Sequence, residues 1–156
     1  MPRALEPGMK APGFRLPQDG GGTTSLSDFA GRKLVLYFYP KADTPGCTKE
    51  AMEFSRLKGA FGEAGADILG ISADPVPTQD KFKAKHRLSI ALASDETHRV
   101  LEAYGVWREK SMYGRKFLGI TRTTVLIGPD QRIVRVWPKV SVPGHAAEVL
   151  AVAESL

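Results

Sequence analysis

Two continuous apolar runs, the helical periods between and after them, and a closing strand–turn–strand–helix pattern predict an α/β fold of three layers, a sheet between helices. The first run, KLVLYFY (33–39), is apolar at every position after Lys33 and is stopped by Pro40. A short run of that kind reads as a strand buried on both faces, the habit of strands in parallel sheets. The second run, ADILGIS (66–72), has the same character. Such strands need crossover connections, and the segment between them has a helical period.

Taken in order, residues 1–32 are rich in Gly and Pro, end in the polar segment SLSDFAGRK, and read as loops with a short hairpin. After the 33–39 strand, Thr44 is placed to be the N-cap of a helix, with Pro45 at its first position, where a missing N–H costs nothing. Ala51, Phe54, Leu57 and Phe61 recur at helical spacing, and Gly62 and Gly65 close the run. Past the 66–72 strand, residues 76–88 read as helix and 90–94 as strand, and 97–105 as a helix closed by Gly105. Residues 106–119 read as a polar-aromatic loop in which Trp107 and Tyr113 pack. RTTVLIG (122–128) and RIVRVWP (132–138) flank the turn residues Pro129 and Asp130 and predict a hairpin, and residues 145–156 a final helix.

The chain of 156 residues is read as a single domain, 1–156, with no repeat, linker or low-complexity tract. No apolar stretch approaches the length of a membrane span, and the N-terminus lacks the apolar core of an export signal. The single cysteine, Cys47, excludes an internal disulfide and suits a reducing compartment, so the expected location is cytoplasmic. The net charge of +5 is scattered, with short basic patches at 81–87 and 107–116 broken by acidic or apolar residues. That reads as a solvated basic surface, not a nucleic-acid footprint. His86, His98 and His145 lack metal-ligand spacing, and DGGGTT (19–24) lacks the Lys-Ser/Thr ending of a phosphate loop. No metal, cofactor, nucleic acid or membrane is expected.

In an α/β sheet, chemistry gathers at the carboxyl ends of parallel strands, and Cys47 lies just past the end of the 33–39 strand. With Thr44 as N-cap, Cys47 is the third helical residue, where the macrodipole and free backbone N–H groups favour a thiolate. Gly46 and Cys47 each offer an amide, Gly46 admits close approach, and Thr44 adds a hydroxyl. Such a pocket suits a species with two bonded oxygens, one at the sulfur and one at the donors. Asp43 and Glu50 oppose the thiolate, and Lys41 and Lys49 are flexible counter-charges. A guanidinium would serve better, though spacing alone does not locate it.

The run Pro40-Lys-Ala-Asp-Thr44-Pro-Gly-Cys47 resembles the P-x-x-x-T-x-x-C signature of the peroxiredoxins. YFYPKADTPGCTKEA is similar to their PrxQ, or bacterioferritin comigratory, subgroup, and the likeness continues through 25–40, 104–130 and the closing helix. The resemblance implies a thioredoxin-like fold, a central mixed β-sheet flanked by helices on both faces. It implies that Arg122 is the missing guanidinium, that Thr44 and Arg122 position a hydroperoxide, that Cys47 attacks its nearer oxygen, and that Pro40 shields the pocket. Gly46 and Glu50 belong to the substrate-binding side, with Glu50 paired to an arginine. The implied activity is thiol-dependent reduction of hydrogen peroxide and organic hydroperoxides.

Many members of that subgroup carry a second cysteine five residues after the first; Met52 stands there in this chain. The sequence therefore resembles a one-cysteine variant, whose sulfenic acid must be reduced by an external thiol, thioredoxin or glutaredoxin with glutathione. A monomer or weak homodimer is expected. The other reading is a redox sensor or binding protein on the same fold, in which oxidised Cys47 captures a partner with little turnover.

Overall fold

The computed structural model describes residues 5–156, so residues 1–4 of the N-terminal stretch read as loop and as lacking an export signal lie outside the described residues. The apolar runs pair as their composition requires. A sheet of five strands has β3 (Lys33–Phe38) at its centre, followed outward on one side by β4 (Ala66–Ser72) and β5 (Ala91–Ser94) and on the other by β8 (Thr123–Ile127) and β9 (Ile133–Trp137). The β3–β4 and β4–β5 pairs are parallel, and β3–β8 and β8–β9 are antiparallel, so the sheet is mixed. Two separate hairpins, β1–β2 (Arg15–Pro17 and Thr23–Ser25) and β6–β7 (Trp107–Met112 and Arg115–Ile120), complete the strands.

Alternate side chains of β3 feed two cores, as the period of two demands. Val35, Tyr37 and Tyr39 pack with Phe54 and Phe61 of α1 (Pro45–Glu63), Phe82 of α2 (Val76–His86), and Ala146 and Val149 of α4 (His145–Glu154). Leu34, Leu36 and Phe38 pack with Leu101 and Tyr104, at α3 (Arg99–Ala103), and with Phe14, Leu16 and Leu26 of the N-terminal segment. The sheet is thus covered by three helices on one face and by one short helix and the β1–β2 hairpin on the other.

One contact fixes how closely α1 and the sheet approach. Tyr37 lies in register with Gly70 of β4, and its ring stacks on Phe54, with centroids 4.8 Å apart. A methyl at Gly70 would come within 2.7 Å of the Tyr37 ring. Gly70→Ala is expected to force the ring off its seat and cost about 1–3 kcal/mol, the usual scale of overpacking. A urea melt checks this, and an unchanged midpoint would mean that the ring has another place to go.

The segment 106–119, read from sequence as loop, is instead the β6–β7 hairpin. Charged, polar and apolar residues are mixed along it without alternation and with little burial, so no apolar period announces the strands. Its two-residue turn has positive φ at Tyr113 and Gly114, 52° and 77°, the geometry that matches strand twist. Tyr113, read as packing, is 98% exposed at that tip. Trp107 does pack, stacked on His98 with centroids 3.9 Å apart.

Candidate active site

The β3 ladder ends at Tyr39, whose N–H donates to the Ile71 carbonyl. Pro40, half-buried, has no N–H to continue it, and the chain leaves the sheet there. The loop that follows is held by a polar chain that begins far away in sequence. Tyr39 Oη donates to Gln79 Oε1, and Gln79 Nε2 donates to Ser72 Oγ at 2.9 Å and to the Ala93 carbonyl at 3.0 Å. Ser72 Oγ donates to Asp74 Oδ2 at 2.7 Å, and the same oxygen accepts the Ala42 N–H at 2.8 Å. Gln79 is fully buried and satisfied, the condition for a buried amide to stabilise rather than to cost.

Thr44 has the extended backbone of an N-cap, φ −93° and ψ 156°, and Pro45 opens α1. Its hydroxyl does not cap the helix. It donates back to the Lys41 carbonyl at 2.8 Å, which closes the loop. The first intrahelical bond runs from Thr48 N–H to the Thr44 carbonyl, so the amides of Gly46 and Cys47 are not used by the helix. Thr44 therefore shapes the loop and leaves the helix terminus to other acceptors.

Cys47 is 1% exposed and packs in the core on the inner face of α1. Arg122, just before β8, is brought to it by the β3–β8 pairing and donates from Nη2 to Cys47 Sγ at 3.3 Å. From Nη1 it donates to Glu50 Oε1 at 2.7 Å. Glu50 follows Cys47 by three residues on the same helix face, so one planar fork meets both. A methyl at Gly46 would lie 3.2 Å from Arg122 Nη2, so glycine there makes room for the guanidinium. The close approach that Gly46 permits is thus made by the arginine.

Glu50 is 1% exposed and engaged with Arg122. Its contact is with the arginine, as the sequence reading paired it. Burial pushes its carboxyl up to about 7, against the pull of Arg122, and Glu53 adds to the rise. For Arg122, burial opposes the charge, but Glu50 and Cys47 outweigh it and hold the guanidinium above its ordinary value. Asp43, feared as a charge beside the sulfur, is turned outward to Lys85 and His86, each at 2.8 Å, and those bonds lower its carboxyl. Lys41 and Lys49 are exposed, and Arg122 supplies the counter-charge instead.

Three neighbours went unread in the sequence. Lys110 of β6 is half-buried, and burial, then the charge of Arg122, holds its ammonium low, which places it beside the site. Tyr37 packs in the same core as Cys47. His145 Nε2 is 2.8 Å from Thr124 Oγ1, and burial lowers the imidazole to about 4. No residue type or spacing marks these three; tertiary packing of β3, the β6–β7 hairpin and α4 brings them near. Among the described residues no group of three or more His, Cys, Asp or Glu could hold a metal ion.

Met52 is 49% exposed on the outer face of α1. Five residues on a helix turn the side chain through about 140°, so position 52 faces away from Cys47. The groove that Met52 lines with Pro45, Thr48, Arg56 and His86 is likewise on the far side of α1 from the sulfur.

Residues 7–136 match the AhpC/TSA family. The chain is 44% identical to Peroxiredoxin Bcp of Bacillus subtilis over 146 residues, covering 94% of this chain and 93% of that one. It is 47% identical to Peroxiredoxin Bcp of Xanthomonas campestris over 140 residues, 88% of each. Among solved structures, the Xanthomonas campestris bacterioferritin comigratory protein, studied for alkyl peroxide reduction through trapped intermediate and ligand complexes, superposes with a TM-score of 0.90 at 41% identity. That match covers 96% of this chain and 98% of the other. A cysteine-to-serine mutant of PrxQ from Xylella fastidiosa superposes with a TM-score of 0.93 at 39% identity, covering 98% of both chains.

Proposed function

The chain belongs to the AhpC/TSA family, among the peroxiredoxins of the PrxQ or bacterioferritin comigratory group, and from that premise we propose that it is a one-cysteine peroxidase acting through Cys47. The observation that carries the reading is the Arg122 fork, one N–H on Cys47 Sγ at 3.3 Å and the other on Glu50 at 2.7 Å. A fixed cation at the sulfur favours the thiolate and meets the negative charge that grows on the peroxide as its O–O bond breaks. Hydrogen peroxide and organic hydroperoxides are the substrates.

The thiolate attacks the nearer oxygen. The S–O bond forms, the O–O bond breaks, and the departing oxygen takes a proton to leave as water or alcohol. Two-electron oxidation leaves Cys47 as sulfenic acid. Thr44 and the free amides of Gly46 and Cys47 orient the peroxide, and Pro40 shields the pocket. One external thiol then displaces water to form a mixed disulfide, and a second releases the Cys47 thiol. We place that reductant with thioredoxin or with glutaredoxin and glutathione. Measuring turnover with each in turn identifies it. No turnover with any of them, together with a lasting mixed disulfide, would favour the sensor reading. A reducing, cytoplasmic setting and a monomer or weak homodimer go with the single cysteine.

Without a resolving cysteine, no internal disulfide has to be reached, so α1 has no need to unwind. Amide hydrogen exchange over residues 47–57 is expected to stay protected when Cys47 passes from thiol to sulfenic acid. Collapse of that protection on oxidation would contradict this account of the helix.

A further inference from the structure

Arg122 serves two potential anions, Cys47 Sγ and Glu50 Oε1, with one positive charge. Both partners are 1% exposed, so water supplies little compensation if both ionise. The second carboxyl oxygen, Glu50 Oε2, is buried and has no hydrogen-bond partner among the described residues. An ionised carboxylate with one oxygen bare in a protein interior costs more than a neutral carboxyl in the same place. We propose that Cys47 and Glu50 share a single proton across the Arg122 guanidinium, so that the thiolate state carries a neutral Glu50 and conversion of Cys47 to sulfenic acid leaves Glu50 ionised.

The proposal rests on the peroxidase reading for its second half. There the step balances without any outside proton: Cys47–S⁻, Glu50–CO₂H and ROOH give Cys47–SOH, Glu50–CO₂⁻ and ROH. The S–O bond forms, the O–O bond breaks, sulfur loses two electrons, and the proton ends on the alcohol. Sulfenic acid is neutral, so the whole charge of Arg122 then falls to Glu50, which closes the ion pair. Glu50 meets the reacting sulfur only through Arg122 and is therefore a positioning residue.

The surroundings leave Glu50 as the group that can exchange this proton. From its own helix Glu53 faces it and disfavours its ionisation. From β3, Tyr37 and Tyr39 are held well above their ordinary range by burial and stay neutral. From the β6–β7 hairpin Lys110 bears on Arg122 and Cys47, and from α4 His145 bears on Arg122 but stays neutral down to about 4. Burial, against the pull of Arg122, lifts Glu50 toward about 7, so its neutral form is within reach near neutral pH.

The test counts protons. First, the thiolate is titrated by its ultraviolet absorbance in the reduced protein and in Glu50→Gln. The thiolate is expected to appear at lower pH in the variant than in the wild type, because there no second anion competes for Arg122. Then, where that absorbance shows Cys47 ionised, one equivalent of hydrogen peroxide is added in weak buffer with a pH dye. Sulfenic acid is trapped and counted by mass. The wild-type protein should take up clearly less than one proton per sulfenic acid at pH values where Glu50 is neutral beside the thiolate, rising toward one at higher pH. Glu50→Gln should take up about one throughout, and Glu50→Asp should behave as wild type. Uptake of a full proton by the wild type at all pH values, or a thiolate titration that Glu50→Gln leaves unmoved, overturns the proposal. The wild-type count needs no variant to fold. Absence of sulfenic acid would speak against the peroxidase reading instead, and the thiolate titration would still decide whether the proton is shared.

Discussion

Arg122→Ala is expected to slow oxidation of Cys47 by hydrogen peroxide by about 10²–10³-fold, the scale of losing one donor aimed at developing charge. Two effects combine. The sulfur loses the N–H that reaches it at 3.3 Å, and Glu50 loses its only partner among the described residues while remaining buried. The second effect pushes the carboxyl further toward its neutral form, so the variant escapes an unpaired buried charge and should still fold. Arg122→Lys separates charge from shape. A lysine keeps the cation but gives up the planar fork that holds Cys47 and Glu50 together, so its rate should fall between the other two. Stopped-flow rates across peroxide concentrations check the series. A wild-type rate in Arg122→Ala would remove the arginine from the chemistry.

Phe54→Ala is expected to cost about 3–5 kcal/mol of folding stability, as for other fully buried aromatics. Phe54 is fully buried and is the residue through which α1 sits on the sheet. Its ring stacks on Tyr37 at 4.8 Å, meets Phe61 at 6.0 Å, and receives the edge of His145 at 6.1 Å. The void would open one turn beyond Glu50, on the same helix face, so the Arg122 fork should loosen with it. A urea melt measures the loss, with the slope compared to confirm that the denatured state is unchanged. A loss below about 1 kcal/mol would mean that Tyr37 and His145 close the gap and that the seat of α1 lies elsewhere.

These contacts also explain how far the sequence could be read. Strands β3 and β4 were legible because each is a short apolar run buried on both faces, and α1 because Thr44 and Pro45 open it and Phe54 and Phe61 keep its period. The β6–β7 hairpin was not, since a strand with few buried positions has no apolar alternation to display. The amide donors of Gly46 and Cys47 followed from helix geometry alone. The hydroxyl of Thr44 did not, because a threonine before a helix can cap it or bond the loop behind it, and only the Lys41 carbonyl decides which. Glu50 pairs with an arginine, as expected, but its burial is a tertiary property that spacing does not show. The support of the Pro40–Thr44 loop by Gln79, Ser72 and Asp74 joins ordinary polar residues across the sheet, and no spacing betrays it. Arg122 itself came from the resemblance, since 75 residues separate it from Cys47.

The most direct test mixes reduced protein with one equivalent of hydrogen peroxide in a stopped-flow instrument, with Trp fluorescence as the signal and a sulfenate trap read by mass spectrometry. The account predicts a fast phase that ends with one oxygen on Cys47. Slow oxidation, or an unmodified Cys47 after the peroxide is spent, would contradict it and leave the thiol poised for something other than peroxide reduction.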